Sequence, residues 1–93
     1  MVKKRATWRA EKAATNLAKH KVSFEEAETA LHDPLARWEP DWAMGEMRFD
    51  VIGISDRGRH LFVVTIEVAE DQLHIISARK AERHERKRYE EGD

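Results

Sequence analysis

Apolar side chains recur at helical spacing near the N-terminus, between residues 9 and 20. Positions i, i+3, i+4 and i+7 of a helix lie on one face, so this stretch predicts a first helix with one apolar stripe. The stripe consists of Ala10, Ala13, Ala14 and Leu17.

A second helix is predicted to begin after Ser23, a preferred N-cap residue that is followed three positions later by Glu26. This is the order of a capping box. The helix ends at Asp33-Pro34, because the residue before a proline avoids helical geometry. Its length is two to three turns.

The apolar period changes to two in the second half of the chain, which predicts strands over residues 47–55, 59–68 and 73–78. A shorter strand is expected around residues 37–39, and a final helix with few apolar positions over residues 80–91. The predicted fold is therefore α+β, an antiparallel β-sheet with two N-terminal helices and one C-terminal helix. At 93 residues the chain is expected to form one domain over residues 1–93.

Composition narrows the setting. The chain has no cysteine, so disulfides and thiolate metal sites are excluded and a cytoplasmic location is expected. Its N-terminus lacks the apolar stretch of a signal peptide, and no apolar run is long enough to span a membrane.

The net charge of −1 conceals two basic blocks. Residues 1–21 carry seven Lys or Arg against one Glu, and residues 79–88 carry six against two Glu, whereas residues 23–58 carry three against nine acidic groups. Basic blocks brought together by the fold would attract a phosphate backbone. Taken alone, each block is equally explained by a solvated helix face.

Several short segments, taken in their order along the chain, resemble the BrnT family of ribonuclease toxins, and no single motif carries the resemblance alone. The strongest is IISARKA over residues 75–81, and the set spans residues 8–90. The other matching positions are Trp8, Lys12, Asn16, residues 19–27, Asp33-Pro34, Glu46, Arg48, residues 52–55, Gly58-Arg59, Glu85-Arg86 and Tyr89.

The resemblance implies a compact RelE-like fold and a metal-independent endoribonuclease that cuts RNA and inhibits translation. It further implies a cognate ribbon-helix-helix antitoxin, through which alone operator DNA would be bound, and no membrane partner. Neither a cofactor nor a metal is expected, since the histidines lack metal-ligand spacing and the glycines form no phosphate loop.

Several positions depart from the family pattern. Lys21 stands where a glycine is usual, so the turn after the first helix is expected to be built differently. Trp42, Ala43 and Met44 occupy the region of a usual His-Ser pair, and His74 and Val68 replace basic residues.

Metal-free RNA cleavage needs cationic groups on the phosphate and a group that moves a proton. Arginine suits the first role because its planar fork donates two hydrogen bonds and stays charged. Histidine suits the second, although His20, at a helix end, is equally explained by contacts with terminal carbonyls. Lys19 is an alternative phosphate contact, and Trp42 could stack on a base. The predicted catalytic residues are Arg79, Arg59, His20 and Arg48, and the predicted RNA-binding residues are Lys12, Lys19, Lys80 and Trp42.

Two other functions remain open at this point. The first is a catalytically weak or inactive module of the same fold that acts with its antitoxin in transcriptional autoregulation. The second is an RNA-binding domain that holds its substrate without cutting it. Replacement of Arg79 distinguishes these, because an enzyme loses turnover while a binder loses affinity alone.

Overall fold

Five strands and three helices build the protein, whose structure is a computed structural model that describes residues 5–42 and 47–92. The elements begin and end within a few residues of the predicted ones, apart from the first strand, which was not predicted. In chain order they are β1 Arg5–Thr7, α1 Ala10–His20, α2 Phe24–Leu31, β2 Arg37–Asp41, β3 Arg48–Ile54, β4 His60–Ala69, β5 Gln72–Lys80 and α3 Arg83–Glu91.

The strands form one sheet in the order β1-β5-β4-β3-β2. β2 to β5 are antiparallel neighbours, but β1 runs parallel to β5, with Thr7 opposite His74. The prediction of an antiparallel sheet is therefore wrong at this edge, and the sheet is mixed. β1 has three residues and no apolar alternation, so the sequence alone gave no indication of it.

The hydrophobic core lies between α2 and one face of the sheet, here called the helix face. Phe24 and Ala27 of α2 pack there with Val51, Val63 and Ile75 of the three central strands, and all five are fully buried. The Ser23 side chain accepts a hydrogen bond from the Glu26 N–H at 3.0 Å, which confirms the predicted N-cap. None of the described helices is long and apolar enough to cross a membrane.

α1 is attached to the sheet by a polar residue. Asn16, the buried residue of this helix, donates to the carbonyls of Ala78 at 2.8 Å and Val22 at 3.0 Å and accepts from the Ala78 N–H at 3.1 Å. Most of the predicted apolar stripe faces solvent, and Leu17 is 49% exposed. The spacing of the stripe predicted the helix correctly, but the hydrogen bonds of the Asn16 side-chain amide attach the helix to the sheet.

The turn after α1 uses the left-handed geometry that a glycine would supply. Lys21 has φ 61° and ψ 31°, and its N–H bonds the Leu17 carbonyl. The expectation that the missing glycine forces a different turn is therefore wrong. A non-glycine residue in this region costs about 1–2 kcal/mol, and the surrounding packing maintains it.

Candidate active site

The second face of the sheet, here called the outer face, carries polar side chains in rows. Strand alternation turns the residues next to the core positions to this side, and the register aligns them across the sheet. Three rows run from β2 to β5: Arg37, Ile52, Phe62 and Arg79; Glu39, Asp50, Val64 and Ser77; Asp41, Arg48, Ile66 and His74.

Arg79 lies near the end of β5 with its guanidinium 4.4 Å from the centre of the Phe62 ring. Nη1 and Nη2 each donate to one oxygen of Glu85, both at 2.8 Å, and Nη1 also donates to the Lys80 carbonyl. The Nε side of the fork bonds to no described residue. Glu85 thus fixes one edge of the guanidinium.

Glu85 of α3 connects this helix to Arg79 on the outer face. It is 3% exposed and accepts from the Glu82 N–H at 2.8 Å in a capping box. Burial acts to raise the pKa of Glu85, but the hydrogen bonds from Arg79 and the Glu82 N–H outweigh it and lower the pKa. The carboxylate is therefore ionised at neutral pH and orients Arg79.

Arg48 and Asp50 lie on β3 on the same face. The Arg48 Nε is buried and has no hydrogen-bond partner among the described residues. Burial raises the pKa of Asp50, and the negative charge of Asp41 adds to the shift while Arg48 opposes it.

Trp42, which is 61% exposed, follows the last residue of β2. Ala43, Met44 and Glu46 lie outside the described residues.

Arg59 lies on the helix face, away from Arg79. Its Nε donates to Glu26 Oε2 at 2.9 Å, its Nη2 donates to Glu26 Oε1, and Nη2 also donates to the Lys21 carbonyl at 3.1 Å. The hydrogen bond from Arg59 lowers the pKa of Glu26 against the effect of burial, and Ser55 adds a further bond. Arg59 therefore holds the β3–β4 turn to α2.

The other predicted residues are also on the helix side. His20 ends α1 next to Lys21, and Lys12 and Lys19 are exposed on α1. Lys80 follows Arg79 but is paired with Leu61 of the core, so it points to the opposite side of β5. The structure thus places Arg48 and Arg79 on one face and His20, Arg59 and the lysines on the other.

Two contacts that hold α3 on the sheet were not predicted. The Tyr89 hydroxyl donates to Asp33 at 2.6 Å while its ring meets His60 edge-on at 5.3 Å between centroids. Burial, with the hydrogen bond to Asp33, raises the pKa of Tyr89 to about 12. Arg88 donates two bonds of 3.1 Å to Glu39. The strand period places Glu39 on the outer face, but only the fold brings α3 to it.

One group among the described residues could hold a metal ion. Ligand atoms of Glu82, His84 and Glu85 lie within 4.8 Å of one another. Both Glu85 oxygens already bind Arg79, so a cation would compete with the guanidinium.

A cavity of about 610 Å³ lies beside β2 and the end of α3. Trp38 and Tyr89 are among the residues that line it, and Arg79 is not.

These features define a class: a small α+β protein whose sheet packs against α2 on one face and carries α3 with arginines and carboxylates on the other. The model of the BrnT toxin family, ribonuclease toxins of type II toxin-antitoxin systems, matches residues 8–85. The chain belongs to this family, which implies an antitoxin partner.

A solved structure agrees with this assignment. The chain is similar to the ribonuclease toxin BrnT of Brucella abortus, with a TM-score of 0.68 and 28% sequence identity over 86% of this chain and 99% of that one. No curated protein matches the chain.

Proposed function

We propose that this protein is a metal-independent endoribonuclease that cleaves RNA in the cytoplasm, inhibits translation and is neutralised by a ribbon-helix-helix antitoxin. Operator DNA is bound only through that antitoxin. The observation that carries the proposal is Arg79, which Glu85 fixes by one edge while its Nε edge has no hydrogen-bond partner among the described residues. The family assignment to ribonuclease toxins supports it.

The reaction is an in-line transesterification. The 2′-oxygen of one nucleotide attacks the adjacent phosphorus, and the bond to the leaving 5′-oxygen breaks. Negative charge grows on the phosphate oxygens, and a preoriented guanidinium stabilises that charge more than it stabilises the ground state. Arg79 supplies this group, and Arg48 provides a second cation on the same face.

The remaining predicted residues take supporting roles in this proposal. Trp42 stacks on a base beside the end of β2, because every base offers a face to an exposed ring. Lys12, Lys19 and Lys80 attract the flanking phosphates. His20 and Arg59 serve the fold at the end of α1, since Arg59 is bonded to a buried carboxylate and to the Lys21 carbonyl.

The test compares cleavage of labelled RNA in EDTA by wild type, Arg79→Gln and the matched control Arg86→Gln, which removes an exposed arginine of α3. We expect Arg79→Gln to lower kcat/KM about 100-fold to 1,000-fold and Arg86→Gln to leave it nearly unchanged. Circular dichroism below the melting temperature checks that both variants are folded. Intact RNA after incubation with wild type would refute the ribonuclease assignment.

A second function has one observation in its favour. Because Glu85 occupies the end of the Arg79 fork, the face could bind without cutting, as a weak or inactive module that acts with its antitoxin in transcriptional autoregulation. That function predicts operator binding by the toxin-antitoxin complex and no growth arrest on expression of the toxin alone.

A further inference from the structure

Asp50 occupies the middle of the outer face. On ideal strand geometry its Cα lies about 7 Å from that of Arg48 and about 12 Å from that of Arg79. Arg48 and Arg79 are themselves about 16 Å apart by the same geometry. A phosphate that both arginines reach therefore lies above the row of Asp50, whose neighbours across the sheet are Val64 and Ser77.

The Asp50 carboxylate differs from the acidic groups of this face that the described arginines bind. Glu85 is bound by Arg79, and Glu39 by Arg88 and Arg37. In contrast, burial and the charges of neighbouring groups act on Asp50, and no described residue donates a hydrogen bond to it. Its oxygens are free to accept a proton from a ligand.

Several charged groups face Asp50 from the elements around it, and the neighbouring β4 position is the apolar Val64. The pKa of Asp50 is raised, because burial and the acidic neighbours outweigh the opposing arginine on its own strand. The charged groups are Asp41 and Glu39 of β2, Arg48 of β3, Arg79 of β5, and Glu85 and Arg88 of α3.

We expect ionised Asp50 to reduce the stability of the fold at neutral pH, because its pKa is raised. A carboxyl group with a raised pKa in the folded state disfavours folding once it ionises, by linkage. Asparagine has nearly the same shape without the charge, so it should be tolerated or preferred at this position. If a carboxylate serves only the fold, replacing it with asparagine lowers the stability.

The other titratable groups of this face are less suited to accept a proton. Tyr89 donates its proton to Asp33 and keeps it, with a pKa of about 12. His60 is packed against the Tyr89 ring. His74 lies in the row of Arg48 and bonds to the Thr7 hydroxyl at 3.1 Å, so it is the alternative that a test must include.

We infer that Asp50 is the catalytic residue that takes the proton from the 2′-hydroxyl of the RNA during cleavage, an inference that rests on the proposed function. The O–H bond breaks as the 2′-oxygen bonds to phosphorus. The bond from phosphorus to the 5′-oxygen then breaks, and that oxygen takes a proton from water. The products are a 2′,3′-cyclic phosphate and a 5′-hydroxyl, and Asp50 returns its proton to solvent.

The experiment measures kcat/KM for RNA against pH for wild type, Asp50→Asn and His74→Asn, together with urea unfolding at pH 7. Wild-type activity should fall as the pH drops through the Asp50 pKa. Asp50→Asn should lose about 100-fold to 10,000-fold and lack this acid limb, while its unfolding midpoint stays equal or rises. His74→Asn should keep the limb.

Each contrary result has a separate meaning. If wild type leaves RNA intact, the ribonuclease assignment itself fails. If wild type cuts and Asp50→Asn cuts equally with the same acid limb, the assignment stands and the role of Asp50 is refuted. If the limb is lost in His74→Asn alone, His74 is the proton acceptor. A drop in activity matched by a lower unfolding midpoint would show that Asp50 is structural.

Discussion

Two arginine-glutamate ion pairs, one on each face of the sheet, have the same chemistry but different surroundings. Arg59 binds Glu26 and the Lys21 carbonyl, and Ser55 bonds to the same carboxylate. These hydrogen bonds link Arg59 to Glu26 and Lys21 beside the core. Arg79 binds Glu85 by one edge over the Phe62 ring and keeps its Nε edge, so the same pairing fixes a side chain and leaves it usable.

The comparison shows that a buried ion pair does not identify an active site by itself. Both glutamates are nearly inaccessible, at 5% exposed for Glu26 and 3% for Glu85. What differs is the surrounding face. The Glu26 pair holds a turn to α2, whereas the Glu85 pair lies on the outer face, where the Arg48 Nε and the Asp50 carboxylate have no hydrogen-bond partner among the residues that the structure describes.

The largest expected effect on stability comes from Arg59→Leu. Removing it leaves the Glu26 charge buried without its main partner, which should lower the free energy of unfolding by about 3 kcal/mol. Urea unfolding at pH 7 measures this. The matched control is Arg88→Leu on the outer face, where a pair with an arginine 37% exposed should contribute less than about 1 kcal/mol. Equal losses would contradict the difference between the faces.

Glu26→Gln is expected to have a smaller effect, about 2 kcal/mol at pH 7, since glutamine keeps part of the hydrogen bonding. The folded-state pKa of Glu26 lies below its ordinary value of 4.5, so its contribution is present above that value and is lost as the pH falls through the folded pKa. Stability measured from pH 7 to 3 should therefore fall less steeply in the variant. Parallel curves would show that Glu26 does not contribute to acid sensitivity.

The smallest effect is a gain. Lys21→Gly should raise the free energy of unfolding by about 1 kcal/mol, because glycine adopts φ 61° without the clash of a Cβ atom. Thermal unfolding measures the gain, and RNA cleavage should be unchanged, since the turn belongs to the helix side. A loss of stability would mean that the Lys21 side chain, which bonds the Ala18 carbonyl at 3.2 Å, outweighs the strain.

Much of the fold could be predicted, because each element has a local pattern. The Ser23 cap begins α2, and alternating residues form β3, β4 and β5 near the predicted bounds. β1 could not be predicted, since its pairing with β5 links residues more than 60 positions apart. The role of Asn16 could not be predicted either, because its side-chain amide bonds to the Ala78 carbonyl, 62 positions along the chain.

The candidate site was predictable only in its residue types. Arginines in basic segments indicated phosphate binding, and their positions in the chain were found by resemblance to a family. Asp50 was overlooked because alternation shows that it lies on a polar face and says nothing about which arginines are already paired there. The absence of a bonded partner is a property of the assembled face.

The sequence by itself determined the three helices, the strands β2 to β5, the α+β class and the family, because helix caps, apolar periods and ordered motifs are properties of neighbouring residues. The tertiary structure alone decided that Arg79 and Arg59 lie on opposite faces, that α3 orients Arg79 through Glu85, and that no described residue hydrogen-bonds to Asp50 between Arg48 and Arg79. Those are distances and orientations between segments far apart in the chain, which hydrogen bonding and burial set only when the sheet is complete.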